Sequence, residues 1–276
     1  MEWFQVALER YRQERPLDGY PSLPTPGAAK RVTPAPIVYT RTRSVEIPES
    51  FLRERRILAG FQRGPYVDAF KILRTQVMHR LREKGWNVVG VTSPGQHEGK
   101  TLTALNLAVS LAMDITRSVL LVDANLQNPT VHDMLGLGEC EGLADYLLDD
   151  VPIEDLLVHP GINRLVVLPG GRAIPNTAEA LTSPKMTSLV EEVKCRYQSR
   201  VIIYDLPPLL HGSDVLAFSP SIDALLVVVE EGRTKSEDVE RALSLVKNST
   251  HILGTVLNKA EQVSVTPTLM RKLLPS

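Results

Sequence analysis

The chain has 276 residues, of which 43% are hydrophobic and 23% charged, with a formal net charge of -1. That is enough apolar material for one well-covered α/β domain with an appendage, and a near-neutral balance gives no global field for nucleic acid, which is not expected as a partner. The longest apolar runs, such as Leu225–Val229, fall far short of the roughly 20 residues that cross a bilayer, and the charged N-terminus lacks the apolar middle of a secretion signal.

A cytoplasmic location is therefore expected. Residues 1–15 have the pattern of a short amphipathic helix. From Arg15 to about Ser50 the chain holds Pro16, Pro21, Pro24, Pro26, Pro34, Pro36 and Pro48 among few large apolar residues, which predicts an extended linker. The expected organisation is an arm over 1–52, a nucleotide-binding domain over 53–262 and a tail over 263–276. Tyr66, Phe70, Leu73, Val77 and Leu81 recur at helical spacing and predict a helix from Tyr66 to Glu83, with Asp68, Lys71 and Arg74 on its other face.

Beyond Asn87, apolar runs at Val88–Val91, Val119–Val122, Leu165–Leu168, Val201–Tyr204, Ala224–Val229 and Ile252–Leu257 alternate with helical patterns. Strands this uniformly apolar predict a mostly parallel sheet with helices on both faces. Ser183-Pro184 reads as a cap and first turn, before a buried stripe of Met186, Leu189, Val190, Val193 and Tyr197. Ser236 reads as the cap of a helix turning Val239, Ala242, Leu243 and Val246 inward. Cys140 and Cys195 lack metal-ligand spacing and read as reduced structural thiols.

Between the first run and its helix lies Ser93-Pro94-Gly95-Gln96-His97-Glu98-Gly99-Lys100-Thr101. A loop there wraps phosphates with backbone N–H groups and the positive end of a helix dipole. Gly99 permits close approach, Lys100 would bridge the terminal phosphates and Thr101 would ligate magnesium. The pattern G-x-x-x-x-G-K-[ST] is not met, because position 94 is proline, so the loop is of a deviant kind. Asp123 and Asp205 each end an apolar strand, and parallel strands gather their carboxyl ends on one edge beside this loop. An ordinary turn with one lysine and two strand-end caps is the plainer alternative; three such features converging on one edge argue against it.

On the segments VTSPGQHEGKTLTALNLA, VLLVDANLQNP, LPGGRAIPNTAEAL, VIIYDLPPLL and GTVLNK, residues 53–260 resemble the bacterial tyrosine kinases of exopolysaccharide and capsule operons. These belong to the same broad group as the partition and division-site ATPases. The resemblance implies a P-loop fold binding ATP and Mg2+. Nucleotide contacts would come from Gly95, Gln96, His97, Glu98, Gly99, Lys100, Thr101 and Leu102, with Asn258 at the adenine. Thr101, Asp205 and Asp123 would organise the metal, and Lys100 and Asp123 would be catalytic. It also implies self-association through Asp68, Lys71 and Arg74, and docking on the cytoplasmic part of a membrane polysaccharide co-polymerase, placing the chain peripherally at the inner membrane.

The match departs from the family at Asn125 and Gln127, where an Asp and an Arg are usual, and at His97, where glycine is usual. If position 97 needs positive φ, histidine costs about 1 kcal/mol there. No tyrosine follows Tyr204, which excludes a C-terminal acceptor cluster in this sequence. Three readings are open: a kinase-like enzyme passing phosphate to protein or water, a catalytically impaired nucleotide-dependent regulator, and a partition-type positioning ATPase. The last would want a basic surface or an amphipathic tail, and the C-terminal LMRKLL is short for that.

Overall fold

The computed structural model describes residues 42–60, 64–114, 117–196 and 200–260. The expected N-terminal helix, most of the Pro-rich arm and the C-terminal tail lie outside the described residues. Eight strands form one sheet: β1 (Arg43–Ser44), β2 (Val88–Thr92), β3 (Ser118–Asp123), β4 (Val158–His159), β5 (Leu165–Leu168), β6 (Arg200–Asp205), β7 (Ala224–Glu230) and β8 (His251–Asn258). Their spatial order is β1-β4-β5-β3-β6-β2-β7-β8. The six from β5 to β8 run parallel, β4 runs antiparallel to β5, and β1 runs parallel to β4.

Ten helices accompany them among the described residues: α1 (Glu49–Glu54), α2 (Pro65–Lys84), α3 (Lys100–Ala112), α4 (Val131–Met134), α5 (Leu143–Asp149), α6 (Ile153–Leu156), α7 (Thr177–Leu181), α8 (Pro184–Arg196), α9 (Asp214–Phe218) and α10 (Ser236–Val246). The period of two along each central strand sorts its side chains between two cores. Val89, Val91, Val119, Leu121, Val201 and Ile203 pack beneath α2 and α3. Val88, Leu120, Val122, Ile202, Tyr204 and Leu225 pack against the face carrying α7 to α10. Both faces of the parallel strands are thus covered, which is why their sequences are continuously apolar.

Helix α2 closes on Gly85 in the left-handed conformation (φ 69°) and buries Val77 and Leu81 as the spacing requires. Helix α8 begins at Pro184, and the Ser183 hydroxyl accepts the Met186 N–H at 3.2 Å. Met186, Leu189 and Val190 are buried and Val193 is half-buried, while Tyr197 lies outside the described residues. Ser236 is the first helical residue of α10 rather than its cap, a position held by Lys235.

The fold begins earlier than the expected boundary at residue 53. Arg43 and Ser44 pair with Val158 and His159, and α1 starts behind Pro48, whose carbonyl accepts the Phe51 and Leu52 N–H groups. Proline costs little just before a helix, where its N–H would have no partner. Leu52 is 1% exposed in the core, so regular structure reaches back into the stretch read as linker, although Arg43, Ser44, Glu46 and Pro48–Ser50 are exposed. Buried Asn106 anchors the segment after α1: its Oδ1 accepts the Leu58 and Ala59 N–H groups at 2.9 and 3.1 Å, and its amide donates to the Arg56 and Leu102 carbonyls.

Candidate nucleotide-binding site

The loop between β2 and α3 sits at the carboxyl edge of the sheet, and its glycine is set by geometry. Gly99 has φ 91°, and a Cβ there would lie 2.1 Å from Asn258 Nδ2, which crosses beneath to donate to the Glu98 carbonyl at 2.8 Å. His97 stands at the exposed loop tip with φ 64°, so the strain expected of a side chain at that position is present. Lys259 fastens the tip from below, donating to the His97 carbonyl and to Glu230 Oε2, both at 2.9 Å.

Glu98 faces inward rather than toward the mouth of the loop. It is 4% exposed, accepts the Gly95 N–H at 2.9 Å and takes the Thr234 hydroxyl at 2.5 Å. The Gly95 N–H is thereby engaged within the loop, and Glu98 is a brace for it. Gln96 is exposed at the tip, whereas Leu102 is half-buried against the core beneath α3. Asn258 likewise braces the loop through the Glu98 carbonyl.

Deeper in the site, Lys100, Thr101 and Asp205 meet. The Thr101 hydroxyl donates to Asp205 Oδ2 at 2.6 Å, and Lys100 Nζ lies 3.1 Å from Thr101 Oγ1 and 3.5 Å from Asp205 Oδ1. Asp205 stands directly opposite Asp123 in the pairing of β3 with β6, and both are fully buried. Burial pushes the Asp123 carboxyl up to about 7, with neighbouring Asp205 adding to the rise. Burial also raises Asp205, opposed by Lys100 and the Thr101 hydroxyl.

Asp123 has a second task. Its Oδ2 accepts the Thr130 and Val131 N–H groups at 2.9 and 3.0 Å, and its Oδ1 accepts that of Asn125 at 3.2 Å. A carboxylate has about four acceptor positions, so one remains beyond these three donors. The Asn125 amide donates to the Asn128 carbonyl at 2.8 Å and closes the same turn. Gly170 packs behind, where a Cβ would be 3.3 Å from Asp123 Cγ.

The donor set suits a magnesium nucleotide. Among the described residues no group of three or more His, Cys, Asp or Glu could hold a metal by itself. A hydroxyl and one or two carboxylates that leave the remaining positions to phosphate and water are what Mg2+ takes in phosphoryl-transfer sites.

The residues assigned to self-association stand apart from this site on α2. Asp68 and Lys71 form an exposed pair at 3.0 Å, while the Arg74 guanidinium folds back onto α3 and donates to the Ser110 carbonyl at 2.9 Å. Among the described residues no helix is long and apolar enough to cross a membrane.

A strand-loop-helix phosphate cradle beside two strand-end aspartates on a parallel sheet defines a P-loop nucleotide-binding protein. Residues 95–259 match the model of the AAA domain family. The tyrosine-protein kinase YwqD of Bacillus subtilis is 32% identical over 192 residues, spanning 69% of this chain and 80% of that protein. The kinase domain of the Escherichia coli tyrosine kinase ETK superposes with a TM-score of 0.71 at 25% identity, over 83% of this chain and 92% of that one. The septum site-determining protein MinD of Pyrococcus horikoshii, solved with Mg-ADP, shares the fold with a TM-score of 0.53 at 22% identity, covering 67% and 76% of the two chains. The chain belongs to the bacterial tyrosine-kinase family of P-loop proteins.

Sequence reasoning missed Asn106, the brace from Glu98 to Thr234, and the lysine clamp of Lys259. Only Lys259 had a signal, since it ends the GTVLNK segment.

Proposed function

We propose that this chain binds ATP with magnesium and transfers the γ-phosphoryl group to protein tyrosine, with water as the competing acceptor, in exopolysaccharide biosynthesis. The observation that carries the reading is the buried Asp123–Asp205 pair, with Lys100 and Thr101 both on Asp205. Bound magnesium supplies charge neutralisation at the phosphates, with Thr101 and Asp205 as the residues to hold it. Lys100 draws the terminal phosphates toward the edge of the sheet. The free acceptor position of Asp123, in a carboxyl held near neutrality, suits uptake of the acceptor hydroxyl's proton.

A nucleotide-switched regulator of a membrane polysaccharide co-polymerase is the second reading, favoured by Asn125, whose amide is committed to the Asn128 carbonyl and which supplies no charge. Self-association through α2 belongs to either reading: Asp68 and Lys71 are exposed, and Ile72 between them and Arg74 is 60% exposed. The deciding measurement is magnesium-dependent ATP turnover and phosphotyrosine formation, with Lys100→Met as control. Turnover lost in the variant supports the enzyme; tight ATP binding without either product supports the regulator. Unchanged ATP affinity in Lys100→Met would refute the phosphate-loop assignment.

A further inference from the structure

The phosphate loop carries a negative side chain of its own, Glu98, immediately before Gly99 and Lys100. The amino end of α3 and the loop N–H groups that suit phosphates attract a carboxylate by the same physics. Turned to the mouth of the loop, Glu98 would repel the nucleotide and occupy its donors. Two neutral hydrogen bonds hold it away: Oε2 accepts the Gly95 N–H at 2.9 Å and Oε1 accepts the Thr234 hydroxyl at 2.5 Å. Among the described residues no cation pairs with this carboxylate. The room for it comes from Gly95, where a Cβ would stand 3.4 Å from Glu98 Oε1.

The Thr234 hydroxyl is aimed by its own turn. Thr234 lies between β7 and α10, where its N–H donates to the Glu230 carbonyl at 3.0 Å and its Oγ1 accepts the Glu230 N–H at 2.8 Å. With that N–H on its oxygen, the single hydroxyl proton is left for Glu98. The same turn is tied to the loop backbone independently. Glu230 Oε2 accepts Lys259 Nζ, which also donates to the His97 carbonyl, and the Asn258 amide donates to the Glu98 carbonyl. Among the described residues only Thr234 reaches the Glu98 carboxylate from outside the loop, so losing its hydroxyl frees the charge while those backbone ties remain. A carboxylate 4% exposed and left with one donor is poorly satisfied, and rotation into the mouth restores its hydration.

We propose that Thr234 is a positioning residue for the nucleotide: its hydroxyl holds Glu98 inside the loop and keeps that negative charge out of the path of the phosphates. The inference rests on the phosphate-loop assignment. It makes Glu98 a latent competitor of ATP and the turn after β7 the element that restrains it. Two like charges about 10 Å apart at an effective dielectric of about 20 repel by the equivalent of roughly a tenfold change in affinity.

The test measures Mg-ATP dissociation constants of the full chain by isothermal titration calorimetry, with circular dichroism and the nucleotide-free thermal midpoint recorded for each variant. Thr234→Val keeps the shape and removes the donor, and should raise Kd roughly tenfold, whereas Thr234→Ser should stay within about twofold of wild type. Thr234→Ala is a second donor-free variant with the same expected loss. Glu98→Gln has no charge to repel phosphate, so adding Thr234→Val or Thr234→Ala in that background should change Kd less than about twofold. Equal weakening in both backgrounds would show Thr234 acting on the architecture of the loop and would overturn the proposal, as would an unchanged Kd in the donor-free single variants. Mg-ATP binding that is lost in Lys100→Met but indifferent to Thr234→Val keeps the phosphate loop and removes this proposal alone. No Mg-ATP binding by the wild-type chain removes both.

Discussion

Replacing Asp123 by asparagine should flatten the pH dependence of stability in the metal-free protein. The wild-type carboxyl is fully enclosed beside Asp205, and three backbone N–H donors do not hold it down, so it titrates at about 7 against 3.8 when unfolded. Because its pKa is higher in the folded state, the folded protein binds more protons between those values. The contribution is most favourable below about pH 4, declines as pH rises and levels off above 7. At about 1.4 kcal/mol per unit, the decline is roughly 4 kcal/mol. Asparagine does not titrate, so the wild-type minus variant stability difference should fall by about that amount between pH 4 and 8. Urea titrations at fixed ionic strength without magnesium or nucleotide measure this, and subtraction removes the titration of groups that do not interact with Asp123, leaving the titration of the Asp123–Asp205 pair. A difference constant to within about 1 kcal/mol would show that Asp123 ionises like an exposed carboxyl, refuting the electrostatic account of the pair.

His97→Gly should stabilise the protein by about 1 kcal/mol in denaturant titration, since glycine accepts φ 64° without strain; no gain would mean the loop tip is relaxed. Asn106→Ala leaves the buried Ala59 N–H and the part-buried Leu58 N–H without their acceptor and should cost about 2–4 kcal/mol. A loss under 1 kcal/mol would mean another acceptor replaces it. Tyr204 is fully buried, its hydroxyl has no partner among the described residues, and burial pushes its phenol far above the usual range. Tyr204→Phe should therefore be neutral or stabilising by up to about 1 kcal/mol in thermal unfolding, and a clear loss would reveal a hydrogen bond.

The sequence by itself determined the six central strands, the covering helices and the phosphate loop. Each is written in a local pattern: continuous apolar runs for strands buried on both faces, a 3.6-residue stripe on α2, and a Gly-Lys-Thr at a strand-to-helix junction. It also placed Asp123 and Asp205 on one edge beside the phosphate loop, because parallel strands bring their carboxyl ends together whatever lies between. Strands β1 and β4, two residues each, were invisible, since two residues show no period and their pairing joins segments more than a hundred positions apart. Only the tertiary structure decided that Glu98 turns inward to Thr234 and that Asp123 is both half of a buried pair and the acceptor that shapes the following turn. Burial and hydrogen-bond partnership are properties of residues distant in sequence, and no local pattern records them.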